Sequence, residues 1–199
     1  MNEIYNNLFV GSLEEYEQVQ LDNTSYVLHA AKEPYHRQFV GYTGRACDKD
    51  HPEYLKAIRG REVAANIVDA KESRYFDYDL IFSLVKDILT LLIEADRKVY
   101  IHCNLGESRA PSIGLLVLLG LHAVDTDYET AQRQFLSIYP NYNPGQGMKD
   151  FVRENWDRFV KASTAASEVK DIEVALPELT AEEEGYVRLP DDAHLHVNQ

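Results

Sequence analysis

The sequence predicts an α/β fold: a single domain built on a central, mostly parallel sheet of four to five strands flanked by helices. Three observations carry this prediction. Short strand-like runs alternate with helix-like runs along residues 4–160, the pattern that places helices on the faces of a parallel sheet. Residues 113–121 are so uniformly apolar that they suit only a buried helix, and this run is far short of the roughly 20 residues needed to span a bilayer. At 199 residues, with 45% hydrophobic content and 13 tyrosines, the chain is long enough to bury a substantial core.

In chain order, residues 4–12 (IYNNLFVGS) read as a turn feeding a short strand, and a helix follows over 13–20. Residues 25–31 (SYVLHAA) form a second strand, preceded by the turn-forming pair Asp22 and Asn23. Residues 33–61 are the least regular part, punctuated by Pro34, Gly41, Gly44, Pro52 and Gly60, with a short helix predicted over 51–58. A third strand runs over 61–68 and ends at Asp69. Helical spacing of Leu80, Leu84, Ile88, Leu91 and Leu92 predicts a helix over 76–95. Beyond a strand at Val99, Tyr100 and Ile101 and the apolar helix, a helix over 127–137 is expected to be capped by Asp125 or Thr126. Residues 139–147 form a turn-rich break, and an amphipathic helix over 148–161 carries Trp156. The domain is drawn at residues 1–163. Residues 164–199 are read as an acidic, flexible tail, with nine acids against Lys170 and Arg188 from residue 166 onward.

The chain is organised around KVYIHCNLGESRAPSIGLLVLLGL, residues 98–121. A strand breaks into a polar turn, and a buried helix leaves it. Cys103 and Arg109 bracket five residues in a Cys-x5-Arg arrangement. A loop wrapping back toward a helix N-terminus presents backbone N–H groups to an anion. Gly106 permits the torsions of such a wrap, and Pro111 is tolerated in the first helical turn. Arg109 can offer its planar fork to two phosphate oxygens. Cys103 sits where the helix dipole and Arg109 both favour thiolate over thiol.

With His102, Gly106 and Ser108 in place around it, this segment resembles the signature loop of the cysteine-dependent protein tyrosine phosphatase superfamily, in its small dual-specificity branch. The opening Ile4, the Leu8-Phe9 pair and Gly11-Ser12 are a softer second point of likeness. The resemblance covers residues 4–160. It implies a phosphatase acting on phosphomonoesters, either on phosphotyrosine, phosphoserine or phosphothreonine in proteins or on a small phosphorylated molecule. The route it implies is a phosphocysteine intermediate, with no metal and no cofactor. Cys103 is then the nucleophile, and His102, Asn104, Leu105, Gly106, Glu107, Ser108 and Arg109 form the phosphate-binding loop. His102 is expected to order that loop through a backbone hydrogen bond, and Ser108 to lend its amide.

Hydrolysis through a thiol also needs an acid for the leaving oxygen. Asp69 follows a strand end, at the carboxyl edge of the sheet where the signature loop also lies. The resemblance places the acid on such a loop upstream of the cysteine. Asp77 and Asp79 are rivals inside the following helix. Lys32, His36 and Arg37, after another strand end, are candidate substrate contacts. The family carries Ser or Thr directly after the arginine, whereas this chain has Ala110; Glu107 places a carboxylate on the rim of an anion site. Both features favour the alternative of a weakly active pseudophosphatase that binds phosphate as a recognition module. A second rival, another thiol chemistry, would need Cys47 as a resolving cysteine. With no lysine inside the loop, inositol lipids are disfavoured.

Net charge is −13, which argues against nucleic acid or an acidic membrane surface as a partner. Two cysteines make no disulfide framework, and the N-terminus has no secretory pattern. The expected location is therefore cytoplasmic, and the expected partner is the phosphorylated substrate. No oligomeric state follows from the sequence.

Overall fold

The computed structural model describes residues 1–168. Its strands are β1 (Asn2–Tyr5), β2 (Leu8–Ser12), β3 (Tyr26–His29), β4 (Lys56–Arg59), β5 (Glu62–Ala65) and β6 (Val99–Cys103). Its helices are α1 (Leu13–Glu17), α2 (Arg37–Val40), α3 (Tyr78–Ile93), α4 (Arg109–Gly120), α5 (Tyr128–Ile138) and α6 (Gln146–Glu168). A helical turn over Lys32–His36 leads directly into α2. All six strands join one sheet in the order β1-β2-β6-β3-β5-β4. The inner four are parallel, while β1 and β4 pair antiparallel at the two edges.

The α/β architecture matches the expected one, with six strands in place of four to five. Both extra strands are short edge strands made by hairpins. The helix expected over 51–58 does not form; Lys56–Arg59 is strand β4 instead. Gly60, at φ +57°, starts a two-residue turn that sets Arg59 opposite Glu62. Helix α1 ends at Glu17 because its last turn tightens, with the Val19 amide returning to the Tyr16 carbonyl at 3.0 Å. Asp127 caps α5, accepting from the Thr130 amide, whereas Asp125 accepts from the amide of Asp127. Helix α6 starts at Gln146 and runs to Glu168, beyond the span its apolar periodicity suggested. The rest of the acidic segment, residues 169–199, lies outside the described residues.

Strand β6 is buried along its whole length at the middle of the sheet. Its alternation sends Val99, Ile101 and Cys103 into the larger core, together with α3, α4, α5 and α6. Tyr100 joins Tyr16 and Val27 in a smaller cluster on the opposite face, and His102 stacks there on Tyr16. Every residue of α4 from Arg109 to Leu119 is buried. A helix apolar on all sides must be enclosed, and α4 is enclosed between the sheet and its neighbouring helices. On α3 the stripe of Leu80, Leu84 and Ile88 faces the core as the periodicity requires, while Leu91 and Leu92 are half-buried. Among the described residues, no helix is long and apolar enough to cross a membrane.

Candidate active site

Cys103 is the last residue of β6, and Arg109 is the first of α4. The intervening loop closes over a pocket of about 130 Å³, lined by Asp69, Cys103, Leu105, Glu107, Ser108, Arg109, Asn143 and Gly145. Three of the loop carbonyls are held by groups from outside it. The Leu13 amide donates to the Asn104 carbonyl at 3.3 Å, the Tyr139 hydroxyl to Gly106 at 2.9 Å, and the Asn143 amide to Glu107 at 2.9 Å. The Ser108 carbonyl accepts from Ser112 inside α4. The amides of residues 105–108 donate to no protein group among the described residues. A loop whose acceptors are tied down and whose donors are left over is an anion nest at the start of a helix.

Gly106 makes this wrap feasible. It has φ +72°, and a Cβ there would lie 2.7 Å from the Ser12 nitrogen and 2.8 Å from the Gly11 carbonyl carbon. The loop therefore lies directly against the β2–α1 junction, and a side chain at Gly106 would both strain the backbone and collide with it.

Arg109 is 8% exposed. One terminal nitrogen donates to the Ile67 carbonyl at 3.0 Å and the other to Asn104 Oδ1 at 2.9 Å. These contacts fix the guanidinium plane between the loop and the end of the β5 segment. Its Nε–H is buried without a hydrogen-bond partner. An orphaned charged donor in a pocket wall is costly unless an acceptor completes it.

Asp69 is exposed and lines the same pocket as Cys103 and Arg109. The Ser108 hydroxyl donates to its Oδ1 at 3.4 Å and accepts from the Gly145 amide at 3.2 Å. Asp77 is engaged elsewhere, capping α3 by accepting from the Leu80 amide at 2.8 Å. Asp79 lies in the first turn of that helix. Neither lines the Cys103 pocket.

Lys32, His36 and Arg37 do not line that pocket either. Lys32 donates to the Arg45 carbonyl. His36 is fully buried, bonded to the Glu53 carbonyl and the Tyr42 hydroxyl, and burial lowers its pKa. Arg37 pairs with Glu33 and stacks over Tyr42 at 4.6 Å. Between them the three residues tie the 32–37 turn to Tyr42, Arg45 and Glu53. Lys32 also lines a second, larger groove of about 620 Å³, together with Ile67 and Val68.

His102 lies on the smaller sheet face, 1% exposed. It stacks on Tyr16 at 4.4 Å, and its Nε2 lies 2.5 Å from Nδ1 of His29. Its buried Nδ1 completes no hydrogen bond of good geometry, although the Cys103 backbone acts on the ring as an acceptor and offsets part of the effect of burial. Burial, reinforced by His29, pushes its pKa down to about 3. Ala110 is fully buried. The nearby Ser112 hydroxyl is paired with the Tyr142 hydroxyl at 3.3 Å. Cys47 and Cys103 are both free and buried.

Asn143, Gly145 and Tyr139 escape a reading of the sequence because their segment looks like an ordinary turn. The signal available was its glycine pattern. A Cβ at Gly147 would collide with the Ala70 carbonyl, and one at Gly145 would lie 3.3 Å from Asp69 Oδ1. The segment is pressed against the Asp69 loop.

No protein-family model and no curated protein matches the chain. Solved structures do match in fold. The Cydia pomonella PTP-2 phosphatase aligns with a TM-score of 0.55 at 16% identity, covering 77% of this chain and 88% of its own. DUSP15 aligns with a TM-score of 0.54 at 13% identity, over 84% of this chain and 95% of its own. A leucine-rich repeat and phosphatase domain protein from Entamoeba histolytica gives 0.52 at 18% identity, over 83% and 93%.

Proposed function

On the dual-specificity phosphatase fold that this chain adopts, we propose that it hydrolyses phosphomonoesters through a phosphocysteine intermediate on Cys103. The observation that carries this reading is the Arg109 Nε–H, buried and unpartnered in a residue that lines the pocket holding Cys103. A phosphoryl oxygen supplies the missing acceptor, and the free amides of residues 105–108 receive the others.

In the first step Cys103 Sγ attacks phosphorus and the ester P–O bond breaks. Asp69, in its protonated form, gives its proton to the departing oxygen. In the second step the Asp69 carboxylate takes a proton from water as that water attacks phosphorus. The P–S bond breaks, and phosphate and the cysteine sulfur are released. Arg109 and the loop amides hold the equatorial oxygens through both steps, where charge is greatest. The substrate is a phosphorylated protein or a small phosphomonoester, met in a reducing compartment such as the cytoplasm.

One observation favours a second reading, a phosphate-binding pseudophosphatase. No hydroxyl follows Arg109 to ease departure of the sulfur: Ala110 occupies that position and Ser112 is bonded to Tyr142. Hydrolysis of p-nitrophenyl phosphate in the presence of EDTA separates the two. The enzyme reading predicts saturable turnover that Cys103→Ser abolishes. The binding-module reading predicts vanadate binding with no release of nitrophenol.

A further inference from the structure

The Cys103 pocket carries more carboxylate than cation. Among the residues that line it, Asp69 and Glu107 are acidic and Arg109 is basic. The guanidinium of Arg109 already donates to the Ile67 carbonyl and to Asn104 Oδ1. Asp69 has a use in the proposed reaction, as the group that gives and takes the proton. Glu107 has none there. It is exposed, and its side chain makes no hydrogen bond or ion pair with any described residue. A phosphate dianion entering the pocket meets it as a like charge.

The backbone that carries this carboxylate is held in place. The Glu107 carbonyl accepts from the Asn143 amide at 2.9 Å, and the preceding carbonyl, that of Gly106, accepts from the Tyr139 hydroxyl at 2.9 Å. Both donors come from outside the Cys103–Arg109 loop, so the side chain of Glu107 leaves the loop from a fixed point. Leu105, 73% exposed, and the exposed Asn143 line the same pocket. At about 130 Å³ the pocket is well below the roughly 300–1,000 Å³ of sites that enclose a whole ligand. Most of a substrate therefore stays outside it, against the exposed side chains at its mouth.

We propose that Glu107 is a specificity-determining residue whose carboxylate receives a lysine or arginine side chain neighbouring the phosphorylated residue of a polypeptide substrate. This deepens the phosphatase reading of the pocket and rests on it. A cation on Glu107 cancels the repulsion that the phosphate would meet, and leaves Arg109 and the loop amides to act on the dianion. Asp69 is the wrong carboxylate for this task, because a cation held on it would favour its ionised form and oppose proton donation to the leaving oxygen. Leu105 and Asn143 favour a polypeptide over a small cationic phosphomonoester. Leu105 offers apolar surface to the alkyl stem of a basic side chain, and the Asn143 side-chain amide, which bonds to no described residue, offers a donor and an acceptor to a peptide backbone. The net charge of −13 acts in the same direction at longer range, by drawing basic partners toward the protein.

The test is kcat/KM for phosphate release by the full-length protein on matched phosphotyrosine and phosphothreonine peptides whose neighbouring residues are Arg, Gln or Glu. Arg-flanked peptides are expected to be hydrolysed about tenfold better than Glu-flanked ones at low salt, and the gap should narrow as salt screens the pair. Glu107→Gln should lower kcat/KM on Arg-flanked peptides about threefold. It should raise kcat/KM on Glu-flanked peptides and on p-nitrophenyl phosphate, chiefly through KM, and Glu107→Lys should reverse the order of the series. A fall on all of these substrates in Glu107→Gln would mark the residue as a support of the loop and overturn the proposal. So would equal kcat/KM across the series in the unaltered protein, or an Arg preference that survives Glu107→Gln. Phosphoethanolamine hydrolysed as well as the Arg-flanked peptides would overturn the assignment to a polypeptide. If the unaltered protein hydrolyses none of these compounds, the phosphatase reading fails, and binding of the same peptides by fluorescence anisotropy decides the charge preference through the same comparisons.

Discussion

The Tyr139 hydroxyl donates a 2.9 Å hydrogen bond to the carbonyl of Gly106, tying the end of α5 to the glycine at the apex of the Cys103–Arg109 loop. Both residues are buried, and burial pushes the Tyr139 pKa up to about 12, so the hydroxyl remains a donor at any working pH. Tyr139→Phe keeps the ring and removes this tether. Thermal or denaturant unfolding should show a loss of about 1 kcal/mol. Vanadate inhibition should weaken as well, because the loop is freer to turn its carbonyl inward. Unchanged vanadate affinity would show that the loop holds its shape without Tyr139.

Gly106→Ala tests the loop more severely. The side chain would sit at φ +72° and meet the backbone of Gly11 and Ser12. Strain of this kind costs about 1–3 kcal/mol, and displacing the amides should lower kcat/KM by about a hundredfold. Crystals of the variant with an undisturbed loop and full activity would refute the close-approach explanation.

The acid can be separated from its rivals by a pair of substitutions. Asp69→Asn should slow hydrolysis by about 10²–10⁴-fold, most for poor leaving groups, and remove the basic limb of the pH–rate profile. Asp77→Ala should instead remove the α3 cap and cost about 1 kcal/mol of stability with turnover retained. The reverse pattern would transfer the acid role to Asp77.

Stability should fall on acidification through His29 and His102, two of the three buried histidines among the described residues. Their folded pKa values lie below the ordinary 6.5, for His102 at about 3. The unfolded chain therefore takes up protons that the folded chain refuses. The stabilisation is complete above pH 6.5 and is lost progressively as pH falls toward about 3. The limiting slope is about 1.4 kcal/mol per pH unit for each group. Urea unfolding at a series of pH values measures it, and His102→Asn should flatten the curve. A flat profile between pH 7 and 5 in the unaltered protein would contradict the burial argument.

The strand, loop and helix around Cys103 were legible because each part has a local signature. An apolar strand, a polar turn with Gly106, and a helix apolar on all sides cannot easily be rearranged. Asp69 was placed at the end of a strand over 61–68, whereas β5 stops at Ala65 and Asp69 follows four residues later, on the segment that lines the Cys103 pocket. Strand β4 was not legible, since Lys56-Ala57-Ile58-Arg59 is too short to show an alternating pattern and its pairing partner lies beyond Gly60. Lys32, His36 and Arg37 misled because positive charge near a strand end says nothing about which carbonyl it will satisfy. All three spend their donors on neighbouring residues. The contacts of His29 with Glu62 and His102 depend on parallel register across three strands, which no local pattern encodes.

Acid quenching of the protein during turnover of p-nitrophenyl phosphate, followed by peptide mass spectrometry, examines the covalent step itself. Phosphate should be found on the peptide carrying Cys103, and Asp69→Asn should alter how much accumulates. Turnover with no phosphate on Cys103, or with phosphate on another residue, would contradict the assigned nucleophile.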